Sequence, residues 1–285
     1  MSEPWIGVDI GGTKIAAGLV DENGSVLARA QRPTPIGEAA IADAVAGLVL
    51  QLAPDVAGTV VGIAVPGYVS IDHRMVSYAA NLELENTMLA DLVEARIDVA
   101  ALVINDANAA LWAEHKFGAA RGVQDVAMVT VGTGIGGGLL VNGKLVAGAH
   151  GWAGEIGHMV VEPGGRPCGC GSRGCLDRYA SGSVLETEAR TREDFAEIAY
   201  WLGFGLSQVA MLLDPDLVVL GGGVSAAGAA LTEPTRVRLG EFLAEHGRDT
   251  TPPVVAARLG PDAGFIGAAA YAADHVADGD RFTAC

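Results

Sequence analysis

Apolar residues recur in short runs broken by glycine, and their spacing predicts strands alternating with helices. Residues 5–10 (WIGVDI), 15–20 (IAAGLV) and 25–30 (SVLARA) read as three strands. GGTK joins the first pair and DENG the second, where Asn23-Gly24 is a hairpin signal. Residues 38–53 (EAAIADAVAGLVLQLA) have the length and composition of a helix. TVVGIAV (59–65) and ALVIN (101–105) are β-branched runs of the kind buried in parallel sheets. The first ends in Pro66-Gly67; the second runs straight into Asp106 and a helical stretch to Phe117.

The opening pattern then returns. DVAMVTV (125–131) predicts a strand, GTGIGG a glycine turn, GLLV a strand, Asn142-Gly143 a second hairpin turn and KLVAG its closing strand. Gly18-Leu19-Val20 and Gly138-Leu139-Leu140 hold equivalent places, roughly 120 residues apart, which predicts a duplicated α/β fold of two domains with a cleft between them. Beyond lie an irregular Cys/Gly stretch (162–175), helices at 181–190 and about 193–213, and DLVVLGGGV (216–224), a strand running into glycines. PVVAARL (253–259) predicts a strand, 263–276 a terminal helix, and ADGDRFTAC a frayed tail.

The 285 residues are half hydrophobic and carry a net charge of −16. Such a surface repels nucleic acid and anionic lipid, so neither is an expected partner. The apolar runs break before bilayer length and no signal peptide is visible, so the cytoplasm is the expected compartment. With basic residues scarce, a phosphate site here needs backbone N–H groups, a helix N-terminus or a metal. Forty glycines, clustered after apolar strands, supply close backbone approach.

Gly132-Thr133-Gly134-Ile135-Gly136-Gly137 satisfies the G-x-G-x-x-G spacing, but a hairpin rather than a helix follows, which excludes a dinucleotide turn. No G-x-x-x-x-G-K-[ST] occurs, which excludes a P-loop. A hairpin turn whose N–H groups form a nest for anionic oxygens fits, and so does a tight hairpin with no ligand. Paired in two repeated units, with Asp9 and Lys14 on the first, the turns suit a polyphosphate, and Asp9 suits Mg²⁺ held directly or through water. Gly221-Gly222-Gly223 offers a third close approach, suited to the nucleoside end of ATP.

Asp106 follows a buried strand, where ligands gather, and equally suits a plain helix cap. Glu155 and His158 lie three apart, a pair able to recognise vicinal hydroxyls; a structural histidine is the alternative for His158. Cys168, Cys170 and Cys175, with His158 before them, offer three thiolates and an imidazole, the closed set of a structural tetrahedral Zn²⁺. Three free thiols in a glycine loop are the alternative. Cys285 is the last residue.

DIGGTK (9–14), INDANAA (104–110), GTGIGGG (132–138), EIGHM (155–159), CGCGSRGC (168–175) and LGGGV (220–224) occur in this order. Together they make the chain resemble, over nearly its whole length, the ROK family of bacterial sugar kinases and sugar-responsive repressors, above all its actinobacterial glucokinases. The resemblance implies an α/β, two-domain actin-like ATPase fold (hexokinase/Hsp70/actin, ribonuclease H-like) with a central cleft. Residues 1–118 plus 265–285 would form a small domain and 119–264 a large one. It implies ATP-dependent phosphorylation of the 6-hydroxyl of a hexose, glucose first, with an N-acetylhexosamine or fructose as the alternative. A sugar-sensing repressor is disfavoured: such relatives carry an N-terminal helix-turn-helix domain, whereas the first strand here starts by residue 5. The cysteine cluster favours ATP over polyphosphate as donor, and homodimers or homotetramers are usual among such proteins.

By the same resemblance Asp106 is the catalytic base. Asp9, Gly11, Gly12, Thr13, Lys14, Gly132, Thr133, Gly134, Gly222, Gly223 and Val224 bind ATP. Gly67, Asn81, Asn105, Asp106, Glu155, His158 and Asp177 bind the sugar, and His158, Cys168, Cys170 and Cys175 hold structural Zn²⁺, with Mg²⁺ accompanying ATP. Two positions depart from the pattern. Asp177 stands where the family usually has glutamate, and Asn81 lacks the tryptophan that often follows it; both bear on which hexose is taken rather than on phosphoryl transfer.

Overall fold

The computed structural model describes residues 4–54, 59–184 and 192–277. In chain order the elements are β1 (Trp5–Ile10), β2 (Lys14–Val20), β3 (Val26–Pro33), α1 (Glu38–Leu52), β4 (Val60–Val65), β5 (Tyr68–Val69), β6 (Val76–Ala79), β7 (Leu84–Thr87), α2 (Leu89–Ile97), β8 (Ala100–Asn105) and α3 (Asp106–Phe117). There follow β9 (Val126–Val131), β10 (Ile135–Val141), β11 (Lys144–Leu145), α4 (Asp177–Ala180), α5 (Arg192–Leu213), β12 (Leu217–Gly221), α6 (Ala229–Glu245), β13 (Val254–Ala256) and α7 (Ala263–Ala277). The described residues pack as two units, one within 4–117 together with Ala147–Trp152 and 262–277, the other within Gly118–Val146 and Ala153–Pro261.

In unit 1 the main sheet runs β3-β2-β1-β4-β8. The first three strands are antiparallel, and β1, β4 and β8 are parallel. β1 and β4 read as near-continuous apolar runs because helices cover them: Ile6, Val8, Val61 and Ile63 are wholly buried. Each such side chain contributes about 1.5–3 kcal/mol by leaving water. The terminal helix α7 returns to pack on β1, β4 and α3, where Asp274 accepts hydrogen bonds from Trp112 Nε1 and Lys116 Nζ, both at 3.0 Å. Segment 147–152 also packs here, although the sequence places it in the second domain. A β-carbon on Gly151 would lie 1.8 Å from the Val69 carbonyl oxygen, and the Trp152 and Tyr68 rings meet at 5.1 Å.

In unit 2 the sheet runs β11-β10-β9-β12-β13. It repeats the design of unit 1: two antiparallel pairings, then two parallel ones. The sequence repeat is therefore a repeat of topology. Its second hairpin turn places Asn142 at φ 52° and Gly143 at φ 71°, the left-handed pair of a two-residue hairpin loop. The glycine turn is shorter than GTGIGG, because β10 already begins at Ile135, paired with Val131.

Two expectations need amending. Phe195–Leu213, within α5, is by length and composition apolar enough to cross a bilayer, so the apolar runs do not all fall short of that length. Half of its apolar window is buried, and Ile198, Leu202, Leu206 and Val209 join the core of unit 2, as expected of a core helix. Of the helix expected at 181–190, Gly182–Val184 forms a 3-10 turn, and 185–191 lie outside the described residues. The tail from 278, with Cys285, also lies outside them.

Candidate functional site

Three parallel strands of unit 1 end side by side. Asp9 in β1 pairs with Ala64 in β4, and Val65 pairs with Asn105 in β8. Their carboxyl ends therefore place Asp9, Gly67, Asn105 and Asp106 on one edge of the sheet, where ligands of α/β proteins gather. The turn after β1 is closed by Gly11 N–H donating to the Lys14 carbonyl at 2.9 Å, and Thr34 Oγ1 donates to the Gly11 carbonyl at 2.6 Å. Gly12, Thr13 and Lys14 stand exposed at its tip. Asn81 neighbours it: a β-carbon on Gly12 would lie 3.7 Å from that of Asn81.

Between the two candidate roles of Asp106 the hydrogen bonds are informative. Asn105 Oδ1 accepts the N–H groups of Ala107 and Asn108, both at 3.0 Å, so Asn105 is the N-cap of α3. Asp106 becomes the first helical residue, with Oδ1 2.8 Å from the Ala107 nitrogen. The Asn105 amide also donates to the Gly67 carbonyl at 3.0 Å, so at most one amide hydrogen remains for a sugar hydroxyl.

Burial pushes the Asp9 carboxyl up to about 6, against the opposing pull of Lys14. A raised folded-state value means the protonated carboxyl stabilises the fold below about pH 4, and that stabilisation is lost as pH rises through about 6. In ligand-free protein the whole effect is about 2–3 kcal/mol. Denaturant unfolding at about pH 4 and pH 8 is expected to show wild type losing this amount relative to Asp9→Asn, which has no carboxyl to ionise. Parallel pH dependence in the two proteins would refute the assignment.

In unit 2, β9 and β12 are parallel neighbours with Thr130 opposite Gly221, so Gly132-Thr133-Gly134 and Gly222-Gly223 emerge from adjacent strand ends. Thr133, Gly134, Gly222 and Gly223 are exposed. Gly222 has φ 79°, and Val224 continues into a 3-10 turn, Gly223–Ala227. The GEIGH motif folds onto β10. A β-carbon on Gly157 would sit 2.2 Å from the Ile135 carbonyl oxygen, so only glycine lets this backbone approach the strand. Glu155 Oε2 lies 3.8 Å from His158 Nε2; burial raises the Glu155 carboxyl and His158 opposes it. Asp177 bonds to the glycine turn: its Oδ1 accepts the Ile135 N–H at 2.7 Å. That bond, and one from Gly182 N–H to the Gly132 carbonyl at 2.7 Å, were not legible in the sequence, because 40 or more residues separate the partners.

The other nitrogen of His158, Nδ1, lies 3.8 Å from Cys168 Sγ, and Cys170 and Cys175 sulfurs are 3.7 Å apart. The four ligand atoms all fall within 4.8 Å of one another. Ligands about 2.3 Å from a tetrahedral zinc stand about 3.8 Å apart, so the set fits that ion. Burial, with the neighbouring cysteines, pushes the Cys175 thiol up to about 12, and hydrogen bonding led by Ser172 lowers that of Cys170.

A sequence profile of the ROK family matches residues 5–198 and 186–275. The chain is 38% identical to a glucokinase of Streptomyces coelicolor over 303 aligned residues, 93% of this chain and 96% of that protein. It is 33% identical to an N-acetylmannosamine kinase of Yersinia pseudotuberculosis, covering 94% of this chain and 97% of that one. Among solved structures it resembles a ROK family glucokinase from Streptomyces griseus in complex with glucose and AMPPNP, with a TM-score of 0.83 and 37% identity over 95% of this chain and 99% of that one.

Proposed function

Since this chain belongs to the ROK family, we propose that it is an ATP-dependent hexose kinase that phosphorylates the 6-hydroxyl of glucose, with Asp106 as general base. The actin-like ATPase fold is shared with the glucose-bound relative. The observation that carries the reading is the division of labour at the start of α3. Asn105 does the capping, so a carboxylate at the end of a parallel strand is not needed to begin the helix.

Phosphoryl transfer asks little covalent chemistry of a protein; it needs positioning, charge stabilisation and one base. Asp106 takes the proton of the attacking hydroxyl. Asn105 is a positioning residue, holding the Gly67 carbonyl and offering its remaining N–H to the sugar; Asn81 adds a hydrogen-bonding amide. Glu155 and His158 recognise vicinal hydroxyls. The turns Gly11–Lys14 and Gly132–Gly134 supply N–H groups to the phosphates, and Gly222, Gly223 and Val224 let the nucleoside approach backbone. Asp9 anchors Mg²⁺, directly or through water, and the ion offsets phosphate charge. His158, Cys168, Cys170 and Cys175 hold Zn²⁺; a closed four-ligand set leaves the ion a structural part. His158, ligating through Nδ1, presents Nε2–H on its other side.

The similarity to an N-acetylmannosamine kinase favours, as second reading, a kinase for an N-acetylhexosamine. A coupled ADP-release assay over glucose, mannose, fructose, N-acetylglucosamine and N-acetylmannosamine decides between them. Glucose is expected to give the highest kcat/KM. A higher value for an N-acetylhexosamine would replace the substrate and keep the reaction; no release with any sugar would overturn both.

A further inference from the structure

We propose that α4 and the cysteine segment before it form a brace for the second glycine turn, with Asp177 as its positioning residue. This rests on the kinase reading and adds a device that sets nucleotide use. The turn is bonded at both ends by residues from the two ends of one short helix, Asp177 as its first residue and Gly182 two positions past its last. Asp177 Oδ1 accepts the Ile135 N–H at 2.7 Å where the chain leaves the turn, and Gly182 N–H donates to Gly132 at 2.7 Å where it enters. A β-carbon on Gly134 would lie 3.0 Å from that same Asp177 oxygen, so the carboxylate lies against the turn itself.

The brace is rigid. Leu176 is wholly buried and Tyr179 nearly so. Leu176 N–H donates to the Met159 carbonyl at 2.9 Å, Cys175 pairs with Val160 across a β-bridge, and the Tyr179 hydroxyl accepts the Arg166 N–H at 2.7 Å. Asp177 thus stands two residues beyond Cys175, a buried member of the sulfur cluster. The turn alone has one internal bond, Gly132 N–H to the Gly134 carbonyl at 2.9 Å, and glycine loses more conformational freedom on ordering than any other residue. A charge-assisted bond from a fixed carboxylate limits that freedom before nucleotide arrives.

Asp177→Ala is expected to raise KM for ATP about 10- to 100-fold, the loss of one charge-assisted bond, over and above any change in hexose KM. Asp177→Asn keeps an acceptor oxygen and is expected to restore ATP KM to within about threefold of wild type. Amide hydrogen exchange of the 132–137 peptide in nucleotide-free protein is expected to be slow in wild type and faster in the alanine variant. A change confined to hexose KM, with exchange unaltered, would overturn the brace. If the alanine variant fails to fold, rapid exchange of that peptide in wild type, or an asparagine variant whose ATP KM rises more than about 10-fold, would overturn it equally. A protein that phosphorylates no hexose would sink the kinase reading while exchange still judged the brace.

Discussion

Asp106→Asn is expected to bind hexose with near-native affinity and to lose about 10²- to 10⁴-fold in kcat, the usual contribution of a positioned general base. The bonding at the start of α3 survives the substitution. An amide oxygen can still accept the Ala107 N–H that Asp106 Oδ1 now meets at 2.8 Å, and Asn105 goes on capping α3. Stability should therefore shift by less than about 1 kcal/mol. The neighbouring change behaves differently. Asn105→Ala removes the cap, at about 1 kcal/mol, and releases the Gly67 carbonyl, so it should lower melting temperature and sugar affinity together. Calorimetric titration with glucose, a melting curve and the ADP-release assay separate the two patterns. Turnover of Asp106→Asn near wild type would remove it from the role of base.

Why that distinction escaped the sequence is instructive. Asparagine and aspartate are both favoured N-caps, so INDANAA admits a helix starting at either residue, and a shift of one position exchanges their roles. What was legible rested on local chemistry. The apolar strands and the two Asn-Gly turns located both halves of the duplication, because a hairpin's register is set within a few residues. Even there the turns differ: Asn142 and Gly143 both take left-handed φ, whereas the first loop is organised by Asp21, whose side chain accepts the N–H groups of Asn23 and Ser25. The sheet β5-β6-β7 lacks that clarity, its strands being only two to four residues long. In α6, Pro234 sits inside the helix, where it normally argues for a break. The return of 147–152 to unit 1 and the bond from Asp177 to Ile135 join distant parts of the chain and leave no periodic trace. The cysteine spacing was strong because thiolates must converge within a few ångströms, and short loops can bring them there.

With Zn²⁺ held by His158, Cys168, Cys170 and Cys175 as proposed, chelation or loss of one ligand is expected to destabilise unit 2 by at least about 4 kcal/mol, in the range seen when a structural ion is lost. For a protein of this size that corresponds to about 8–16 °C in Tm. Two cysteine variants separate metal from packing as the cause. Cys175 is buried and Cys170 exposed. If the thiols merely fill space, Cys175→Ser should hurt and Cys170→Ser should be nearly silent. If they close a tetrahedron, the two should fall together, each with less than one zinc per chain by elemental analysis. The functional loss should follow the ligand geometry. His158 directs Nδ1 to the cluster and Nε2 toward Glu155, so an unanchored ring loses its orientation for sugar hydroxyls and hexose KM rises. Asp106 belongs to unit 1 and the base chemistry does not pass through the ion, so saturating hexose should recover part of the rate in chelated protein that remains folded. Zinc-free protein with native Tm and native hexose affinity would show that the four ligands play no structural part, and would separate GEIGH from the cysteines that follow it.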